Sequence, residues 1–212
     1  MTTAALAQPV GRASFVIYEK GQRVGTLETT VSRTDDGWRV QSTMQAKTST
    51  PVQIVNLDLL YDRRWFGRWM TMEMKQPDDV LVHVAVTRGI AQTDVVRAKE
   101  ARFRSASVST NTILLPERAY GAYEAVAARL AAGPTPDLPI FVPPIAETRA
   151  NVEMVTPEQI RTTTGSVQAQ HYVLNELRTR PTRVDLWVDR GRLLRLDLPG
   201  AQISVVRSDV RR

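Results

Sequence analysis

The chain contains no cysteine. A disulfide framework, a thiolate nucleophile and a cysteine-ligated zinc are therefore all excluded. Histidine is nearly as scarce: His83 and His171 are the two in the chain. Chemistry that needs a group titrating near neutrality must use one or both of them. Lysine stands only at 20, 47, 75 and 99, so the basic residues are overwhelmingly arginine. No stretch approaches the ~20 consecutive apolar residues that a helix needs to cross a bilayer. Gly-x-Ser-x-Gly, glycine-rich phosphate loops and His-Glu-x-x-His are also absent. No motif of a serine hydrolase, a nucleotide-binding fold or a zinc protease is present.

At 212 residues, 42% apolar and 24% charged, the chain fits one large β domain that folds without metal or disulfide. A domain of this size buries roughly 70% of the surface its unfolded chain exposes. The net charge of +6 is spread along strand-like segments and not gathered into a patch. No nucleic-acid partner is therefore expected. Near the N-terminus, Ala5-Leu6-Ala7 before Gln8-Pro9 matches the small-x-small end of a secretory signal. The expectation is a signal remnant or disordered segment over 1–9 and a single β-rich domain over 10–212, in an exported, periplasmic protein.

The dominant pattern is period-two alternation broken by turn residues, which predicts a meandering antiparallel sheet. In Trp38 to Ala46, the residues Trp38, Val40, Ser42, Met44 and Ala46 share one face, while Arg39, Gln41, Thr43 and Gln45 take the other. Similar runs cover 14–18, 24–32, 52–61, 69–75, 80–86, 93–98, 101–108, 166–174, 183–189, 193–198 and 203–207. Lys20-Gly21, Asp35-Asp36-Gly37, Pro77-Asp78-Asp79, Arg88-Gly89, Thr164-Gly165, Arg190-Gly191 and Pro199-Gly200 supply the turns.

One helix interrupts the strands, predicted over 116–132 with Pro116 at its first position and Gly133-Pro134 as its stop. Tyr120, Tyr123, Ala127 and Leu130 form its apolar stripe, with Arg118 and Glu124 pointing elsewhere. The proline-rich segment 133–144 around Ile140-Phe141-Val142 reads as an ordered crossover or edge segment, or a flap over the interior. The fold class is thus mainly β: a large curved antiparallel sheet, half-barrel or barrel, with one amphipathic helix packed on or inside it.

The opening Phe15-Val16-Ile17-Tyr18 hairpin with Val24-Gly25-Thr26, and the closing Val184-Asp185-Leu186-Trp187-Val188-Asp189-Arg190-Gly191-Arg192-Leu193-Leu194-Arg195-Leu196, carry a resemblance. In these parts the chain resembles the periplasmic half-barrel carriers of lipids and lipoproteins, the LolA and LolB type, and related exported domains of unknown function. The resemblance implies a curved sheet embracing a helix and an apolar cavity, and it implies no catalytic residue.

Two sets of residues stand as site candidates. His171 shares a strand face with Val167, Ala169 and Val173, and His83 lies on a strand apolar on both sides. Either could serve as a general base in a cavity. Met70, Met72 and Met74 alternate on one strand beside Trp69 and close to Tyr61. Flexible, polarizable methionines suit a pocket for varied apolar ligands. The carboxylate pairs Asp35-Asp36 and Asp78-Asp79 are explained by their turns. The leading expectation is a carrier that holds a lipid or other hydrophobic ligand, without metal or cofactor. A metal-independent hydrolase or isomerase using a cavity histidine is the alternative, and a non-catalytic envelope domain the third reading.

Overall fold

The computed structural model describes residues 10–47, 53–75, 79–98, 100–176 and 182–210. The reading of 1–9 as a leader remnant and the Pro77-Asp78 turn lie outside the described residues. Eight strands run in order from the start: β1 Gly11–Glu19, β2 Gln22–Arg33, β3 Gly37–Ala46, β4 Gln53–Asp62, β5 Gly67–Lys75, β6 Val80–Thr87, β7 Ile90–Arg97 and β8 Glu100–Ser107. The short β9 (Ile113–Leu114) precedes a 3-10 turn (Tyr120–Ala122) that leads into α1 (Tyr123–Ala131). Then come β10 Asp137–Val142, β11 Ala146–Met154, β12 Glu158–Thr162, β13 Gly165–Glu176, β14 Thr182–Asp189, β15 Arg192–Leu198 and β16 Ile203–Arg207.

All but β12 lie on one sheet path, ordered β8-β7-β6-β5-β4-β3-β2-β1-β16-β15-β14-β13-β11-β10-β9, and β12 pairs β13 off the path. The pairings are antiparallel except the two-residue contact of β9 with β10. Local chemistry explains the meander. Lys20-Gly21, Arg88-Gly89 and Arg190-Gly191 each join two strands as two-residue loops with positive φ at both residues. This is the signature of the turn whose twist matches that of the flanking strands.

The sheet curls around α1 and brings the edge strand β8 close to β11 near the opposite end. One face of the curl is continuous core, with Phe15, Leu27, Val40, Leu59, Met70, Val84, Leu174, Leu186 and Leu196 all buried. The alternation read from the sequence selects this face: in β3, Val40 and Met44 are buried while Gln41 and Gln45 are exposed.

The helix differs from its expectation in two ways. It starts at Tyr123 after a 3-10 turn, seven residues beyond Pro116, because the chain at 116–119 turns through Arg118 with φ 60°. It is also enclosed and not amphipathic in its surroundings. Tyr123, Ala127 and Leu130 are buried as the stripe predicts, but so are Glu124, Ala125, Val126 and Ala128. Glu124 does not point to solvent. Its carboxylate accepts hydrogen bonds from Thr29 Oγ1 (3.1 Å), the Leu193 amide (3.1 Å) and Arg192 Nε and Nη2 (3.1 and 3.0 Å). A buried carboxylate is tolerated when its lone pairs are filled in this way.

The segment 133–144 contributes β10, a strand of the sheet and not a flap, with Leu138 to Val142 buried. Pro139 fits because β10 is bordered on one side only by β9, which reaches no further than Ile140 and Phe141. A proline can sit where no ladder hydrogen bond is required of its nitrogen.

A second, smaller apolar cluster lies on the opposite face, where β12 pairs with the first half of β13. It joins Ala169, Trp187 and Leu194 to Ile160, Val167 and Val210. A bulge opposite Trp187 and Val188 lets both Leu194 and Arg195 turn toward this outer face.

Candidate ligand cavity

At one end of the curl the core is not filled. The 3-10 turn approaches β3 so closely that a Cβ on Gly121 would stand 2.3 Å from Ser42 Oγ. That approach sets Tyr120 and Tyr123 against the ends of β1, β3, β15 and β16. Between them lies a cavity of about 480 Å³. Ile17, Met44, Ala46, Leu115, Leu198 and Ile203 supply its apolar wall together with the two tyrosine rings. Glu19, Gln53, Glu117, Arg118, Glu176 and Thr182 surround it with polar groups. The size and the mix, an apolar body with a few polar groups at the edge, are those of a small-molecule site. Burial raises the pKa of the Tyr120 phenol, with Glu19 adding to the rise and Arg118 opposing it. Tyr120 therefore presents a neutral hydroxyl at physiological pH.

The other end of the interior is closed. Trp38 and Trp65 stack with ring centroids 5.0 Å apart, and Tyr61 leans on Trp65 at 5.8 Å. Tyr61 is fully enclosed. Its hydroxyl donates to the Leu114 carbonyl at 3.0 Å, and burial pushes its pKa far up. Arg129 of α1 lies over the Phe66 ring, 5.2 Å from the centroid.

The residues singled out in the sequence do not assemble into one site. Met70 and Met72 are buried in the filled core, and Met74 packs against its margin. Trp69 points to the opposite face of β5, half-buried between Leu60 and Ala85. None of these four, nor Tyr61, lines the cavity; the methionine that does is Met44. Its place in the alternation of β3 was legible, but nothing in the sequence distinguished it from a filled core position. Leu115, Leu198 and Ile203 come from distant segments and carried no common signal.

Both histidines lie on the outer face. His83 pairs with Thr71, whose Oγ1 stands 3.0 Å from its Nδ1, and it is half-buried where the sequence led us to expect enclosure on both sides. His171 lies just past the β13 residues that pair with β12, stacked on Trp187 at 4.3 Å. Its Nε2 is hydrogen-bonded to Asp185 Oδ1 at 3.0 Å, and its Nδ1 lies 3.0 Å from Glu158 Oε1 without hydrogen-bond alignment. Trp187 Nε1 donates to the other Glu158 oxygen. Arg183 grips both oxygens of Asp185 at 2.8 Å. Burial by itself raises the pKa of the Asp185 carboxyl. Hydrogen bonds from Arg183 and His171 outweigh it and hold the group below the ordinary carboxylate value. Eight strands separate β6 from β13, so the two histidines share no site. Among the described residues no group of His, Asp or Glu is arranged to hold a metal ion.

A larger hollow of about 800 Å³ crosses the outer face of β1 to β6. It is open and mixed in lining, and several of the polar side chains in and beside it bond one another. Arg39 grips Asp58, Thr43 donates to Asn56 at 3.1 Å, and Asn56 donates to Glu73 at 3.2 Å. These pairs knit adjacent strands across the sheet.

No protein-family model matches the chain, and no curated protein does. Among solved structures it is similar to the crystal structure of a DUF1089 family protein from Pseudomonas aeruginosa. The identity is 15%, the match covers 82% of this chain and 90% of that chain, and the TM-score is 0.49.

Proposed function

We propose that this protein binds a lipid or another amphipathic molecule, with the apolar part held in the cavity between the 3-10 turn and the ends of β1, β3, β15 and β16. The observation that carries the reading is a half-open hollow at one end of the interior, with an apolar wall and a polar edge. Cores pack to crystal-like density and leave few voids larger than a water molecule. A hollow of about 480 Å³ lined by Ile17, Met44, Leu198 and Ile203 leaves the half-buried Leu198 and Ile203 with apolar surface that a ligand would cover. The polar edge, with Glu19, Glu117 and Arg118, suits a ligand whose head remains in water. The resemblance to the LolA and LolB type of carrier and the export expected from Ala5-Leu6-Ala7 belong to the same reading. With His83 and His171 both turned to the outer face, no cavity histidine favours the hydrolase reading.

The test is a fluorescence titration with N-phenyl-1-naphthylamine, an apolar probe, on the parent chain and on Met44→Trp. The parent should enhance the probe's emission saturably. The variant, whose larger ring fills the cavity, should bind at least tenfold more weakly while melting at a similar temperature. Failure of the parent to bind the probe, or equal binding by a folded Met44→Trp, overturns the proposal.

A further inference from the structure

Tyr120 is enclosed, yet its hydroxyl is unpaired. The residue stands at the start of the 3-10 turn with 9% of its surface exposed. Buried tyrosines usually find a partner for the hydroxyl, as Tyr61 does in the Leu114 carbonyl. The Tyr120 hydroxyl has none among the described residues, whereas Tyr123 on the same wall already has a partner. The backbone that carries Tyr120 is fixed by the next residue, Gly121, which packs against Ser42 of β3.

This hydroxyl belongs to the polar edge of the cavity. Arg118 and Glu19 line the same hollow, and both act on the phenol, with opposite sign. Neither of these two side chains forms a hydrogen bond or ion pair among the described residues. Glu117 and Glu176, the other carboxylates of the lining, each already have a partner. With one unpaired charge of each sign beside it, the edge does not select a ligand by net charge. Selection falls to the phenol, a neutral donor that loses free energy when a ligand covers it without offering an acceptor.

The volume limits the ligand further. A water molecule's share of the liquid is about 30 Å³, and a methylene group is of similar size. On that scale about 480 Å³ holds on the order of sixteen such groups. That suits one acyl chain and its head atoms, not the two chains of a phospholipid. Resting on the carrier reading of the same cavity, we propose that Tyr120 recognises the ligand, a single-chain amphiphile whose acyl carbonyl oxygen accepts the Tyr120 hydroxyl.

Such an oxygen belongs either to a neutral acyl ester or to a fatty-acid carboxylate. The test is displacement of N-phenyl-1-naphthylamine from the full chain by methyl dodecanoate, by dodecanoate, and by dodecyltrimethylammonium, which has a similar chain and no acceptor oxygen. Tyr120→Phe removes the hydroxyl alone. It should weaken the preferred acyl ligand about three- to tenfold, the worth of one hydrogen bond, and leave the naphthylamine and the ammonium within twofold. Because the hydroxyl strands no partner when it is removed, the variant should melt with the parent. Tighter binding of methyl dodecanoate by the parent identifies an ester ligand. Tighter binding of dodecanoate, weakened again in Arg118→Gln, identifies a fatty acid. The proposal is overturned if Tyr120→Phe binds both acyl ligands as the parent does, or if the parent prefers dodecyltrimethylammonium. A Tyr120→Phe protein that melts well below the parent, or does not fold, marks the hydroxyl as a structural bond and overturns it too. A parent that binds the naphthylamine but neither acyl ligand sinks this assignment alone, while one that does not bind the naphthylamine sinks the carrier reading and this assignment with it.

Discussion

Glu124 of α1 and Arg192 of β15 form a buried ion pair, the guanidinium holding both carboxylate oxygens at 3.1 and 3.0 Å from 68 residues away in sequence. The Glu124 side chain has no solvent exposure, and that of Arg192 retains 14%. The pair ties the enclosed helix to the sheet at a point where the β15 amide of Leu193 also bonds the same carboxylate.

Removing one partner strands the other charge. Glu124→Gln is expected to destabilise the fold by about 3–5 kcal/mol, the usual cost of breaking a buried pair. Glu124→Leu/Arg192→Met, which removes both charges, should recover a substantial part of that loss. Urea unfolding of the three proteins measures it, and a Glu124→Gln protein as stable as the parent would refute the clamp.

Asp185 should make the outer layer acid-sensitive. Its pKa is lowered in the folded protein, so the unfolded chain binds the proton more readily. The stabilisation is complete above the ordinary carboxylate value and is lost as pH falls through the lower folded value. Asp185→Asn should cost about 1.5–3 kcal/mol at neutral pH, the range for hydrogen bonds to a charged group. It should also flatten the decline in stability below about pH 4. Melts from pH 7 down to pH 2.5 would test this, and parallel curves for parent and variant would rule it out.

The Tyr61 hydroxyl closes the filled end of the interior. Because burial raises its pKa, its contribution is intact below the unfolded tyrosine value near 10 and declines as pH rises beyond it. Tyr61→Phe leaves the buried Leu114 carbonyl short of a donor and should cost about 1–3 kcal/mol at neutral pH. The variant should also lose less stability than the parent between pH 9 and pH 11. Chemical denaturation across that range would reveal identical pH dependence if the phenol were not buried.

Gly121 permits the close approach of the 3-10 turn to β3. In Gly121→Ala the new methyl meets Ser42 Oγ and Cβ, at 2.3 and 2.5 Å in the parent geometry, and overpacking of this kind costs about 1–3 kcal/mol. Because Tyr120 and Tyr123 flank this glycine, the variant should also alter probe binding at the cavity. Ser42→Gly in the same chain should relieve both effects, and a lack of rescue would place the strain elsewhere.

Met70 tests the division between filled core and cavity. It is fully buried and does not line the hollow. Met70→Ala should lower stability by about 2–5 kcal/mol while leaving affinity for N-phenyl-1-naphthylamine unchanged. A variant that binds the probe more weakly at equal folded fraction would assign the methionine strand to the ligand site after all.

Local pattern was enough to determine the class of this fold. A strand's side chains alternate between faces, so Val40 and Met44 against Gln41 and Gln45 declare which side is core without reference to anything distant. Lys20-Gly21, Arg88-Gly89 and Arg190-Gly191 declare their turns through the glycine, which takes positive φ without steric cost. The strands β9, β11 and β12 were not legible. β9 is two residues long, and β11 and β12 lie largely exposed, so burial selected no alternating apolar face in them. The beginning of α1 was hidden for a different reason: Pro116 is compatible with a helix start, and only the turn through Arg118 shows that the chain does something else there. The site belongs wholly to the tertiary structure. Alternation says that His171 and Val173 share a face, but both faces of β13 are apolar in places, and which one meets the helix depends on how the sheet curls. Whether a core-facing methionine touches a neighbour or an open cavity depends on where a sheet of fixed strand spacing runs past the end of a nine-residue helix. That is a matter of volume between elements far apart in the chain, and no local pattern encodes it.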